Sequence, residues 1–179
     1  RQMCIRDRYY RGHSDVNYVL LPSVMRLNSW YEHECDLYNE TVIECPASFK
    51  NCFTHLDYLV EMQHYGLPTR LLDITKNPLV ALYFACCDNF NSQGELIVFD
   101  VKTDEIKYPK SDTVSILASL PLFKSNMKKN LLTWAQDKTL NENDFNRKAI
   151  RLLHEVKLEK PAFRDEIVKD DILSCFFVL

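Results

Sequence analysis

Between Gln63 and Asp73 the chain reads Gln-His-Tyr-Gly-Leu-Pro-Thr-Arg-Leu-Leu-Asp, and this run holds the densest set of side chains able to do chemistry. Arg70 carries a planar fork of donors suited to phosphate or carboxylate, which makes it a candidate anion receptor. It lies between apolar segments, where an unpaired charge costs several kcal/mol, so an ion pair with Asp73 or a bond to helix ends is the structural alternative. His64 is a candidate general base or ligand donor; the competing role is to cap the last carbonyls of a helix. Gln63, Tyr65 and Thr69 supply further polar groups for ligand contact in the same run. Arg11-Gly12 is different in kind: a strand-end arginine beside a residue without a side chain admits a flat ligand against backbone amides, or it is a turn glycine with a solvated arginine. Arg26, after Pro22-Ser23, is a further cation for the same cleft, or one half of a surface ion pair worth about 0–1 kcal/mol. The expectation is that Arg11, Arg26, His64 and Arg70 share one concave wall.

Composition narrows what that wall can bind. A net charge of -3 gives no bulk attraction to nucleic-acid backbones or anionic lipid, so any such binding must be local. The 179 residues suit one domain with one core. Seven cysteines, an odd number without repeated spacing, and five scattered histidines argue against a disulfide scaffold and against a zinc site. No metal site is expected. The thiols fit a reducing, cytoplasmic setting, and no apolar run approaches the roughly 18–20 residues of a membrane span. The chain holds three glycines and lacks G-x-x-x-x-G-K-[ST], G-x-S-x-G and H-E-x-x-H, which removes phosphate-loop, dinucleotide-fingerprint, serine-hydrolase and zincin readings. Lys124, Lys128 and Lys129 read as a solvated helix face.

The elements that must position these residues follow from pattern. Tyr9 to Gly12 ends a first strand, and Tyr18 to Leu21 is a second short β segment stopped by Pro22. Trp30 to Val42 is amphipathic at helical spacing. Phe53 to Met62 forms a helix closing near Tyr65, with Gly66 in the left-handed position and Pro68 barring continuation. Asn77-Pro78 is an N-cap followed by proline at the first helical position, and the helix from Pro78 to about Asp88 is apolar on every face, which predicts that protein surrounds it. Glu95 to Val101 is the clearest strand, and Glu105 to Tyr108 reads as an edge strand. Ser125–Gln136 and Glu142–Leu158 read as helices. The predicted class is mixed α/β, an α+β arrangement in which a small sheet packs around a buried central helix with flanking helices. Residues 1–8, which contain QMCIRDR, resemble translated adapter sequence and read as a non-native leader to a domain over 9–179; Ser174 to Leu179 reads as a final strand of a domain incomplete at its C-terminus.

Tyr10-Arg11-Gly12, Leu21-Pro22-Ser23 with Arg26, the Gln63–Asp73 run and Asn77-Pro78-Leu79-Val80-Ala81-Leu82-Tyr83-Phe84-Ala85 together resemble the FRG domain family, over Tyr9 to Leu179. The resemblance implies a domain common in bacteria, phages and mobile elements, whose leading activity would be NAD-handling and ADP-ribosyltransferase-like, in a toxin or phage-defence role. Arg11 and His64 would then be catalytic; Gly12, Arg26, Gln63, Tyr65, Thr69, Arg70 and Asp73 would bind ligand. NAD would be a substrate, and no cofactor is required. The alternative is a non-catalytic module for a nucleotide, nucleic acid or protein. The partner implied is a small anionic or nucleotide ligand rather than a membrane.

Overall fold

The computed structural model describes residues 6–177, with side chains described over 7–173. In chain order the elements are β1 (Arg6–His13), α1 (Asn28–Glu32), α2 (Glu34–Glu44), α3 (His55–His64), α4 (Pro78–Cys86), β2 (Glu95–Lys102), α5 (Asp112–Ser119), α6 (Ser125–Gln136), α7 (Glu142–Lys148), α8 (Ile150–Glu159) and α9 (Lys169–Phe177). The class is therefore mixed α/β, mostly helical with a small antiparallel sheet. Where one core was expected, the chain divides into two compact units. One takes in the described residues up to Leu20 together with Leu72–Lys107; the other holds Leu21–Leu71 and the residues from Tyr108 onward.

In the first unit β1 and β2 pair antiparallel from Arg6 opposite Lys102 to His13 opposite Glu95. Arg6, Asp7 and Arg8 are thus the paired start of β1, while residues 1–5 of the supposed leader lie outside the described segment. Thr75 adds a single bridge to the free edge of β1, its amide and carbonyl exchanging bonds with Tyr10 at 2.9 and 2.7 Å. Helix α4 begins as its sequence predicts: Asn77 accepts from the Leu79 amide at 3.0 Å, and Pro78 occupies the first turn, where its missing N–H is no loss.

The enclosure expected for α4 is not found. Only Ala81 and Ala85 are buried, whereas Leu79, Leu82, Tyr83 and Phe84 are exposed, Leu79 to 71%. The reason lies in the seam. A Cβ built on Gly12 would stand 1.9 Å from the Ala81 carbonyl oxygen, and one on Gly94 would stand 2.3 Å from that of Ala85. Gly12 on β1, Gly94 just before β2 and two alanines on the helix bring the backbones together, so α4 is held by close approach along one narrow line. Its large side chains play no part in that seam.

The second unit is cored differently. Ile116 and Leu120, Leu131 and Ala135, Phe145, Leu152 and Val156, Phe163, Ile167 and Ile172 form one buried cluster; Tyr38, Phe49, Leu59 and Met62 form another with Ala118. A fully buried leucine, isoleucine or phenylalanine is worth about 1.5–3 kcal/mol, so these clusters are the main source of stability here. Helix α3 starts on a capping box in which Thr54 accepts from the Asp57 amide (3.2 Å) and Asp57 accepts from the Thr54 amide (2.9 Å). It ends at Gly66, whose φ of 78° is the left-handed turn the sequence calls for.

Five other expectations are corrected. The predicted Trp30–Val42 helix is split by His33 into α1 and α2, and Glu142–Leu158 is split at the buried Ala149 into α7 and α8. Neither Tyr18–Leu21 nor Glu105–Tyr108 is a strand; both are bends or irregular backbone apart from a turn at Glu105. Residues 174–177 of the C-terminal apolar run lie in α9 rather than a strand, Asp170 and Asp171 supplying the acidic first turn that a helix N-terminus favours, and residues 178–179 lie outside the described segment. Helix α5, with Ser111 as its N-cap, went unpredicted.

Candidate functional site

Each region of interest lies within one of the two units. In the first unit, period-two alternation puts Arg11 and His13 on the same face of β1, and the register sets Glu95 directly across from His13. The three side chains form a hydrogen-bonded line. Arg11 Nε donates to His13 Nε2 at 3.1 Å, and His13 Nδ1 lies 2.9 Å from Glu95 Oε1. Since guanidinium has no lone pair to offer and carboxylate no proton to give, the histidine must carry its proton on Nδ1 and accept at Nε2. Arg11 Nη1 also donates to the Asp73 carbonyl at 2.6 Å, which fixes the guanidinium at both ends.

The histidine is nearly inaccessible, while the Glu95 side chain is 33% exposed and its second oxygen makes no hydrogen bond among the described residues. One carboxylate oxygen is thus oriented from behind and the other can meet a ligand. Around the same histidine, Tyr18 stands edge-on at 6.0 Å, and Asn89, at a φ of 50°, donates through Nδ2 to the Tyr18 hydroxyl (2.6 Å) and to Ser14 Oγ (3.1 Å). A non-glycine residue in that conformation, held by two side-chain bonds, fixes the turn that follows α4.

Gly12 is placed differently from the open position imagined for it. The space beside it is filled by the α4 backbone, so its missing side chain serves the helix seam. Asp73 is exposed and meets Arg11 through its main-chain carbonyl.

The remaining candidates belong to the second unit, where most of the Gln63–Asp73 run acts as a latch. Thr69 donates to Gln63 Oε1 and receives the Leu71 amide on the same hydroxyl (3.2 Å); its own amide donates to Ser23 Oγ at 2.9 Å, and Ser23 returns the bond to the Thr69 carbonyl at 3.2 Å. The Leu21-Pro22-Ser23 and Gln63–Thr69 motifs are therefore two sides of one polar clasp. Arg26 donates to the Leu21 carbonyl at 3.1 Å and is otherwise solvated.

Arg70 does not pair with Asp73. It grips Glu34 through both carboxylate oxygens, at 2.8 and 2.5 Å, and Lys128 reaches the same carboxylate at 2.5 Å with its ammonium 4.8 Å from the Tyr31 ring centre. Lys128, expected on a solvated face, is 0% exposed. Burial by itself would raise the Glu34 carboxyl, but Arg70 and Lys128 outweigh it and hold the group below its ordinary value. Burial presses Lys128 downward against the pull of Glu34. One carboxylate shared by two cations in a desolvated setting is a packing device.

His64 is exposed in the last turn of α3, its ring edge-on to Tyr65 at 5.7 Å, with no hydrogen-bond partner among the described residues. A different histidine is half-buried in this unit. His55 Nδ1 meets the Tyr38 hydroxyl at 3.3 Å, and its Nε2, 3.9 Å from Glu159, is buried without a hydrogen bond. Burial drives its pKa down against the opposing charges of Glu159 and Glu155.

His13 and Glu95 were missed from sequence. The available signal was the i, i+2 spacing of Arg11 and His13 on a strand; the partner 82 residues on follows only from the register. Among the described residues, no group of three or more histidine, cysteine, aspartate or glutamate side chains is gathered in a way that could hold a metal ion. Nor is any helix there long and apolar enough to cross a membrane.

With the geometry in hand, the family comparison bears on the first half of the chain: residues 6–94 match the FRG domain, and the chain carries that domain over this segment. The match ends at 94, short of the Leu179 limit the motifs suggested. No curated protein and no solved structure matches the chain.

Proposed function

We propose that the FRG domain of this chain handles NAD, transferring its ADP-ribose portion in the manner of an ADP-ribosyltransferase, with Glu95 and Arg11 at the reacting end. The observation that supports this reading is the Arg11–His13–Glu95 line, which orients a part-exposed carboxylate from behind and leaves one oxygen to accept from a ribose hydroxyl. In such a transfer the bond from the ribose carbon to nicotinamide breaks, nicotinamide leaves with the electron pair, and positive charge develops on the sugar ring. A carboxylate held beside that ring strengthens its hydrogen bond as the charge grows, which is stabilisation of the transition state in preference to the bound substrate. The acceptor's oxygen or nitrogen then bonds to the sugar and passes its proton to the Glu95 carboxylate. Arg11 supplies positive charge on the same face for the pyrophosphate. This assigns the proton-accepting role to Glu95 instead of His64.

A second reading, a non-catalytic module that binds a protein or nucleotide, is favoured by the exposed apolar residues of α4. Nicotinamide release from NAD by the intact chain separates the two. Under the first reading Glu95→Gln lowers kcat about a hundredfold or more while the fold, followed by circular dichroism, is retained. If nicotinamide is not released, and NAD shifts the melting temperature of the parent and Glu95→Gln chains equally, the transferase reading fails and the module stands.

A further inference from the structure

Helix α2 ends in a concavity of about 460 Å³ whose walls include Glu40, Glu44, Cys45, Phe49, Tyr65 and Leu67. Three features of this groove point to the same occupant. Glu40 and Glu44 lie one turn apart on the same helix face, an arrangement that costs helix stability through like-charge repulsion, and neither forms an ion pair or a side-chain hydrogen bond among the described residues. Glu44 is the last residue of an eleven-residue helix with no basic residue in its final turn, so both carboxylates add to the negative pole of the helix dipole. Apart from Thr41 and Ser48, the rest of the lining is apolar or aromatic: Phe49 is buried, whereas Tyr65 is 62% exposed beside the left-handed turn at Gly66.

We infer that this groove is a docking site for an arginine side chain presented by an exposed segment of a partner protein. A guanidinium is the group that satisfies every wall at once. Its methylene stem packs on Phe49 and Leu67, its flat face stacks on Tyr65, and its forked donors span two carboxylates set one helical turn apart. An anion or nucleotide is repelled by the same two glutamates, so Tyr65 serves a cationic partner and not the phosphate-bearing ligand its place in the polar run suggests. The inference uses none of Arg11, His13 and Glu95, on which the proposed NAD handling rests, and stands or falls separately.

The test uses the intact chain and three octapeptides in a Gly/Ser background, carrying two arginines, two citrullines or two glutamates. Binding is followed by calorimetry, and the groove is read by the rate at which the Cys45 thiol is alkylated relative to Cys86 and Cys87, which are free and exposed elsewhere. The arginine peptide is expected to bind and to slow alkylation of Cys45 alone, with the other two peptides leaving all three rates unchanged. Glu40→Gln with Glu44→Gln should weaken binding at least tenfold without lowering the melting temperature, and Tyr65→Ala should weaken it several-fold. Equal binding of the citrulline peptide, no protection of Cys45 up to millimolar arginine peptide, or an equal loss from neutralising Asp104 and Glu105, which belong to the other unit and line no part of the groove, would each overturn the assignment.

Discussion

Arg11 and Arg70 sit in regions that solve the same problem in opposite ways. Arg70 belongs to the unit with two apolar clusters, where its charge is taken out of water and shared with Lys128 over one buried carboxylate. Arg11 belongs to a unit in which the only buried residues among those described are His13, Ser14, Ala81 and Ala85. There Arg11 and Glu95 are held by hydrogen bonds to the buried His13 along a two-stranded ribbon, and both stay part-exposed. The contrast teaches that a dense core converts charged side chains into buried architecture, while a thin, polar-centred unit keeps them in a hydrogen-bonded line on its sheet.

The sharpest way to break this comparison is to remove the shared carboxylate. Glu34→Ala leaves two buried cations unpaired and should cost about 3–5 kcal/mol in chemical denaturation, whereas Arg11→Ala should cost far less; similar losses at both positions would erase the distinction. Next in size, Gly12→Ala drives a methyl group into the α4 backbone and should destabilise the chain by about 1–3 kcal/mol, read as a lowered melting temperature. A neutral Gly12→Ala would mean that the seam is looser than its geometry. Thr54→Ala opens the capping box of α3 at a cost of about 1 kcal/mol, confined to the cored unit, which hydrogen exchange of the α3 amides would localise.

The smallest effect expected is a slope with pH. Folding lowers the His55 pKa, so the native state disfavours the charged ring. The stability tied to neutral His55 is complete above the ordinary imidazole value near 6.5, falls as the pH drops through that value, and levels off below the folded pKa. Denaturation midpoints measured between pH 7 and 5 should decline in the parent and decline less in His55→Gln. A parallel decline in both would show that His55 is solvated.

How much of this was readable in advance depends on how local the signal was. Asn77-Pro78 announced α4 because capping chemistry is contained in two adjacent residues, and Gly66 marked the end of α3 for the same reason. The Glu95–Lys102 strand was legible from its apolar run. The burial of α4 was overestimated because an apolar periphery states what a helix would gain from burial, not whether neighbours surround it. The break at Ala149 left no trace in a pattern of inward residues that runs through both α7 and α8. At the site, Arg11 was legible as an arginine beside a glycine, but its partners were not. His13 and Glu95 are adjacent only through strand pairing, and Glu34 and Lys128 flank Arg70 from 36 positions before and 58 after it in the chain.

The line of contact between α4 and the sheet has a practical consequence for reading mutants. Two of its four residues are already alanine and the other two are glycine, so an alanine scan, which deletes side chains everywhere else, leaves half of this line untouched and enlarges the other half. Positions where truncation means insertion will look like hot spots for reasons unrelated to recognition. Loss of activity in Gly12→Ala or Gly94→Ala therefore reports a displaced helix, and only substitutions that leave those two glycines intact can speak about ligands.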